Sequence, residues 1–257
     1  MLRDWAGAWI FYSVLPLPPG LTPRFERIAR FAPWVGIAIG LLEAGLWQLL
    51  APAGLLVQIP LVLALGISLS GGLHLDGLMD TADGLAAPAD RRLEAMDDSR
   101  VGASGVQALV VALLLRVAAL AWLGAAAPIA LLWTSIWARV APLFAMEAFP
   151  YLRQSEGTAA FHRRHWQGLL AELVPSLLLV FVLSGLLLAL GLSQWVLLGW
   201  FGVLPALLIP WSLGRRLGGH SGDSYGACVE WSLSWTCLLY TSPSPRDATL
   251  SRMPSSA

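Results

Sequence analysis

The chain contains no lysine: all sixteen basic residues are arginine, and sixteen acidic residues balance them to a formal net charge of zero. With no net positive field, nothing in the overall charge recruits nucleic acid. Cysteine is nearly absent too. Cys228 and Cys237 are the only two; they fall in the last apolar run without ligand spacing, so they read as packing residues rather than metal ligands. Charge itself is scarce at 12% of 257 residues, about half of the roughly 25% found in a soluble domain. Apolar residues fill the space, at 57% with thirteen tryptophans and a mean hydropathy of +0.68. By length the chain could make one or two soluble domains. This composition divides it instead into spans of about 20 residues each, and predicts an all-α, multipass integral membrane helical bundle of about six to seven transmembrane helices.

Apolar runs cover 33–50, 55–73, 105–123, 128–148, 172–191, 195–213 and 226–240. The connections between them alternate in character. Those at Ala51-Pro52-Ala53-Gly54, Gly124-Ala125-Ala126-Ala127 and Gly191-Leu192-Ser193-Gln194 carry no charge. The others hold the arginines: Arg3, Arg24, Arg27 and Arg30, then Arg91, Arg92 and Arg100, then Arg153, Arg163 and Arg164, then Arg215 and Arg216. A chain that weaves back and forth puts all of these on one side, which the positive-inside rule makes cytoplasmic. The loops at 74–104, 149–170 and 214–225 therefore meet at one membrane face with nearly every ionisable group, and an active site is expected there. No signal peptide is expected, because Met1-Leu2-Arg3-Asp4 leads to Leu15-Pro16-Leu17-Pro18-Pro19-Gly20 rather than to a cleavable apolar core. Those prolines predict a fixed loop, followed by a short amphipathic helix over 22–31 with Thr22 as cap and Pro23 in its first turn. Residues 1–240 read as a single membrane-embedded domain. The stretch 241–257, polar and proline-rich, reads as a disordered or aberrant tail.

The stretch Gly71-Gly72-Leu73-His74-Leu75-Asp76-Gly77-Leu78-Met79-Asp80-Thr81-Ala82-Asp83-Gly84 places three carboxylates and a histidine at the end of a hydrophobic run. In a helix, Asp76, Asp80 and Asp83 fall within about 60° of one another on one face. Like charges so close repel, and a divalent cation relieves them; hard oxygen ligands suit magnesium or manganese. A solvated helix face is the competing account. It is weakened by the adjoining span, the scarcity of other carboxylates, and Gly77 and Gly84, which let a ligand approach the backbone. His74 would point away from the aspartates, in a structural or substrate-contact role.

Met96-Asp97-Asp98-Ser99-Arg100-Val101-Gly102-Ala103-Ser104-Gly105 fits a phosphate and metal loop, since Arg100 can pair with phosphate oxygens and glycine admits them to backbone N–H groups. It fits a cap and turn opening the third span equally well. The next loop supplies Tyr151, Arg153, Glu156, Gly157, His162, Arg163, Arg164 and His165, of which Arg163-Arg164 reads first as a juxtamembrane anchor. Gly218-Gly219-His220-Ser221-Gly222-Asp223 is a weak anion-nest signal. Arg139 lies within a span, where a charge is a functional hypothesis by default; Glu147 is too distant along the same helix to be its sure partner, and Arg116 and Glu43 are similar cases.

Taken in order, His74-Leu75-Asp76-Gly77-Leu78-Met79-Asp80-Thr81-Ala82-Asp83-Gly84, Asp98-Ser99-Arg100-Val101-Gly102, Tyr151 and Arg153 with Glu156-Gly157, and Gly218-Gly219-His220-Ser221-Gly222-Asp223 resemble the cobalamin synthase family, the adenosylcobinamide-GDP ribazoletransferases. The likeness runs from the Leu-Pro-Leu-Pro segment to about residue 236. It implies an enzyme in which the 5′-hydroxyl of α-ribazole, or of its 5′-phosphate, attacks the cobinamide-side phosphorus of adenosylcobinamide-GDP and expels GMP, with Mg2+ as cofactor. Such chemistry needs positioning and charge neutralisation more than covalent catalysis. The resemblance assigns Asp76, Asp80, Asp83 and Asp98 to metal, with Asp83 and Asp98 as the catalytic pair. It gives substrate contacts to His74, Arg100, Tyr151, Arg153 and Asp223. It also implies a bacterial cytoplasmic (inner) membrane, with the lipid bilayer and the two small-molecule substrates as partners, no nucleic acid, and a homo-oligomer left open. Two departures stand out: Asp97 occupies a position usually basic in the family, and Ser221 one usually held by threonine.

Two other readings compete. A CDP-alcohol phosphatidyltransferase needs Asp-Gly, two residues, then Ala-Arg, but here Asp76-Gly77 is followed by Asp80-Thr81. A small transporter would carry its ionisable groups near the bilayer midplane on broken helices, whereas these cluster at the ends of spans.

Overall fold

A computed structural model describes residues 1–153 and 160–242. The described residues are helical, and the only β pairing among them is an isolated parallel bridge between Tyr151 and His220. Twelve α-helices follow in order: α1 Leu2–Tyr12, α2 Ala32–Leu49, α3 Leu55–Leu69, α4 Leu73–Ala86, α5 Arg92–Asp97, α6 Ala103–Leu123, α7 Ala127–Ala148, α8 Ala160–Arg164, α9 Leu169–Ala189, α10 Ser193–Trp200, α11 Val203–Leu217 and α12 Gly222–Leu239.

Among the described residues, four helical stretches are long and apolar enough to cross a membrane: Ala29–Leu49, Ala103–Ala148, Leu169–Ala189 and Ser193–Leu217. The bent pair α3 and α4 adds a fifth if it is counted as one broken span. The stretch Ala103–Ala148, at 46 residues, is long enough to cross twice. Arg116 and Arg139 line one cavity, although 23 residues of straight helix would hold them about 35 Å apart, so the chain folds back at Gly124, whose φ is +53°. Leu56, Leu114, Phe181, Val182 and Leu208 lie on the outer faces, exposed as a lipid-facing surface requires. Helix α7 is the hub. Apolar nearly all round, it is buried along most of its length and packs against α2, α11 and α12. Cys228 and Cys237 are free and buried in α12, as packing residues should be.

Three local features differ from the sequence reading. Residues 22–28 form no helix, and only a single 3-10 turn follows at Ala29–Phe31. The segment is instead pulled against α1: the Arg24 N–H donates to the Arg3 carbonyl, and its guanidinium grips buried Asp4 through two 2.6 Å hydrogen bonds. Helix α1, which the sequence reading left unassigned, provides that surface. The run 195–213 is broken at Phe201-Gly202, because Gly199 and Gly202 press on the Trp133 and Trp137 rings, where a Cβ would stand 2.1 and 2.3 Å from ring carbons. The Gly199 carbonyl there accepts from Trp137 Nε1 at 2.8 Å and Tyr240 Oη at 2.9 Å as well as from the Gly202 N–H at 3.1 Å. Of the expected tail, residues from 243 onward lie outside the described residues.

Candidate active site

Two consecutive left-handed glycines, Gly71 (φ +63°) and Gly72 (φ +70°), end α3 and start α4, turning the chain by 91°. Only glycine adopts this geometry without strain. Helix α4, short and carrying three aspartates, lies beyond the apolar part of the span. It crosses α12 at a close contact between backbones: a Cβ on Gly77 would stand 2.5 Å from the Asp223 carbonyl oxygen, and one on Gly226 3.1 Å from that of His74. Small residues at a helix crossing allow this approach, and it brings Asp223 to the aspartate face of α4. Burial, and then the charges of Asp76, Asp223 and Asp83, push the Asp80 carboxyl up to about 6, with Arg153 opposing. The four carboxylates therefore form one electrostatic cluster.

The start of α12 is held by a capping box in which Ser221 and Ser224 exchange side-chain and backbone hydrogen bonds. His220, fully buried, sits between Ser224 Oγ (2.9 Å) and the Pro210 carbonyl (3.1 Å), and burial pushes it down to about 4. The glycine-rich loop thus works as a rigid hinge. Its backbone pairs with Pro150 and Leu152, which delivers Arg153 to the cluster. There the guanidinium bonds Asp223 Oδ2 at 2.7 Å and also engages Asp97. Asp97 is therefore the second partner of Arg153. Tyr151 stacks on Tyr225, which stacks on His220.

The remaining predicted residues divide. Asp83 accepts the N–H groups of Gly102 (2.7 Å) and Gly105 (2.9 Å) on its two oxygens, capping α6 and tying it to α4. Asp98 lies in an exposed loop, forked by Arg100 with a shortest contact of 2.6 Å; that hydrogen bonding holds its carboxyl down at about 2. Residues 98–100 thus close on themselves. Glu156 and Gly157 lie outside the described residues. Among the described residues, no three of His, Cys, Asp and Glu are placed to hold one ion together. Mg2+ is usually bound through one or two carboxylates and the substrate's own phosphates, and the acidic cluster at Asp76, Asp80 and Asp223 fits that requirement in donor chemistry and in its excess of negative charge.

Behind the carboxylates opens a cavity of about 190 Å3. It is lined by Phe11 and Tyr12 of α1, His74, Asp76 and Gly77 of α4, Arg139 and Met146 of α7, His162 of α8, and Asp223 and Tyr225 of α12. His74 faces this space and stacks on Tyr12, whose hydroxyl meets His162 Nε2 at 3.4 Å. Tyr12 went unnoticed in the sequence because nothing local marks it. Arg139 does not pair with Glu147, which instead accepts from Trp166 Nε1 and the Leu169 N–H. Arg139 belongs instead to a group with half-buried Glu43 and buried Arg116 and Glu230, and the four line a second cavity of about 50 Å3. Arg116 bonds the Glu230 carboxylate and carbonyl and Ser234 Oγ.

The sequence profile of the cobalamin-5-phosphate synthase family matches residues 4–241. The chain is 58% identical over 246 residues to an adenosylcobinamide-GDP ribazoletransferase of Prochlorococcus marinus strain MIT 9313, covering 93% of this chain and 95% of that protein. It is 41% identical over 247 residues to one of Thermosynechococcus vestitus, covering 93% and 96%. No solved structure matches. With nearly its whole length covered by the profile and by these relatives, the chain belongs to the cobalamin-5-phosphate synthase family.

Proposed function

We propose that the chain transfers the adenosylcobinamide-phosphate part of adenosylcobinamide-GDP to a ribose hydroxyl of α-ribazole or its 5′-phosphate, releasing GMP. Where the acceptor carries a 5′-phosphate its 5′-oxygen is already esterified, so a secondary hydroxyl of the ribose must attack there. A P–O bond forms to the acceptor oxygen, the bridging P–O bond of the pyrophosphate breaks, and the hydroxyl proton passes to the carboxylate cluster. The observation that supports this reading best is the meeting of Asp76, Asp80 and Asp223 with Arg153 at the α4–α12 crossing. In-line phosphoryl transfer calls for carboxylates to hold a cation beside a guanidinium that steadies phosphate oxygens.

One or two carboxylates of the Asp76, Asp80 and Asp223 cluster, with the substrate's own phosphates, would hold Mg2+, which would neutralise charge on the pyrophosphate oxygens. Asp83 is assigned to capping. Arg153, released from Asp97 or Asp223 as substrate enters, presents two parallel N–H groups to phosphate. The arginine alternation supports a carboxylate face on the cytoplasmic side of the inner membrane. A cysteine replacing Arg92, in a background free of other cysteines, should resist an impermeant thiol reagent in intact cells; labelling from outside would reverse the orientation.

Product analysis tests the reaction. Purified protein given Mg2+, adenosylcobinamide-GDP and α-ribazole should yield GMP and a product containing both cobinamide and ribazole. Release of cobinamide phosphate instead would put the attack on the wrong phosphorus, and GMP release without acceptor would make the protein a hydrolase.

A further inference from the structure

The transfer chemistry needs only the carboxylate rim, yet the cavity continues behind it. Its walls are flat: Phe11, Tyr12, His74 and Tyr225 line a space of about 190 Å3 that reaches Arg139 in α7. Three polar atoms of its lining residues have no hydrogen-bond partner: Nδ1 of His74, Nδ1 of His162 and Nε of Arg139. Their side chains belong to residues only 5%, 5% and 4% exposed. Buried polar groups are normally satisfied, so three orphans among the residues that line one cavity leave hydrogen-bonding capacity that a small rotation of each side chain toward a bound ligand would use. Burial pushes His162 down to about 3, and Arg139 is the cation among the lining residues.

Size and edge chemistry choose the occupant among the parts of the two substrates. The corrin macrocycle is far too large. Guanine carries O6 and N7 acceptors that suit a guanidinium, but its N1–H and N2–H donors also need carboxylate or carbonyl acceptors opposite them. The carboxylates here, Asp76 and Asp223, stand at the mouth with the metal and phosphate work, while the deep end offers a guanidinium N–H. A dimethylbenzimidazole presents the converse edge: one unsubstituted ring nitrogen that only accepts, and two methyl groups suited to aromatic and aliphatic walls such as Phe11 and Met146.

We propose that this cavity seats the base of the acceptor nucleoside, between Tyr12 and Tyr225, with the ring nitrogen toward Arg139 and the ribose at the mouth beside Asp76 and Asp223. The inference rests on the transferase reading above and adds the place of the acceptor. It makes Tyr12, His162 and Arg139 the determinants of which base is used. It also sets the acceptor hydroxyl on the inner side of the pyrophosphate, so that GMP departs outward.

Dead-end inhibition of the wild-type protein, read as GMP release, tests this without any substitution. Free 5,6-dimethylbenzimidazole should compete with α-ribazole and not with adenosylcobinamide-GDP, and guanosine should not compete with α-ribazole. Ala29→Leu, which extends a lining residue into the cavity, should raise KM for α-ribazole by about tenfold or more, equal to about 1.4 kcal/mol. It should leave KM for adenosylcobinamide-GDP within about twofold. If guanosine competes with α-ribazole, or the KM for adenosylcobinamide-GDP is the one that rises, the cavity holds the donor's guanine and the proposal is wrong. If the free base does not inhibit and neither KM moves, the cavity is only a void. If Ala29→Leu fails to fold, the wild-type inhibition pattern decides alone. Wild-type protein that releases no GMP overturns the transferase reading, and this inference falls with it.

Discussion

Asp80 is the most informative single residue. Its carboxyl, raised from 3.8 to about 6 by burial and then by Asp76, Asp223 and Asp83, is more easily protonated folded than unfolded. In metal-free protein it therefore stabilises the fold below its unfolded value, and that contribution is lost as pH rises through about 6. Metal-free protein should melt at progressively lower temperature between pH 3.8 and about 6, and Asp80→Asn should remove that part of the slope. A slope unchanged in the variant would mean that the carboxylates do not feel one another. Arg153 makes a second case. It holds Asp223 and Asp97 through different nitrogens of one planar fork, a geometry that lysine cannot copy. If the fork also grips phosphate, Arg153→Lys loses a charge-assisted hydrogen bond of about 1.5–3 kcal/mol, roughly ten- to a hundredfold in kcat/KM for adenosylcobinamide-GDP. Normal kinetics for the lysine variant would reduce Arg153 to a membrane-face anchor.

Between elements, the site depends on how closely α4 approaches α12. A Cβ on Gly77 has backbone atoms of Asp223 in its way, at 2.5 Å from the carbonyl oxygen and 2.9 Å from Cα, and backbone cannot move aside as a side-chain tip can. Gly77→Ala should cost about 1–3 kcal/mol in detergent thermal or denaturant unfolding, as overpacking does. It should lower kcat by more than that loss of folded protein explains, because it separates Asp76 and Asp80 from Asp223. Wild-type kcat in the folded fraction would show that the carboxylates do not act together. This crossing was only half legible in sequence. The aspartate spacing on α4 follows from helical periodicity, and the Gly218–Asp223 segment shows itself as a turn. That the two meet depends on contacts between residues about 150 positions apart, which periodicity cannot carry. Asp83 shows the same limit: its spacing after Asp80 reads as a ligand position, while the hydrogen bonds it accepts from Gly102 and Gly105 come from the start of another helix and leave no local mark.

Across the molecule, the apolar runs were legible because a span must be long and uniformly apolar. The ranges 33–50, 105–123 and 128–148 recur as α2, α6 and α7 within two residues. The missed elements, α1 and the α10–α11 break, owe their form to long-range packing on Arg24 and on Trp133 and Trp137. So does the buried Arg116–Glu230 pair, whose side chains are 9% and 4% exposed. Glu230→Gln leaves two arginines inside the bundle against Glu43 alone, and should destabilise by about 3–5 kcal/mol in detergent thermal or denaturant unfolding. The double change Arg116→Met with Glu230→Met keeps the charge balance of Arg139 and Glu43 and should recover most of that loss. A double variant as unstable as Glu230→Gln would refute pairing as the cause.

The proposed function stands on metal-assisted transfer at the carboxylates of the α4–α12 crossing. The most direct measurement is Mg2+-dependent GMP release from adenosylcobinamide-GDP and α-ribazole by wild type, Asp80→Asn and Asp90→Asn, the last removing an exposed carboxylate on the turn after α4. Asp80→Asn should fall by about tenfold or more, as loss of a ligand or its orienting partner does, while Asp90→Asn matches wild type. Equal rates for all three at limiting Mg2+ would contradict the claim and leave the aspartates as a solvated helix face.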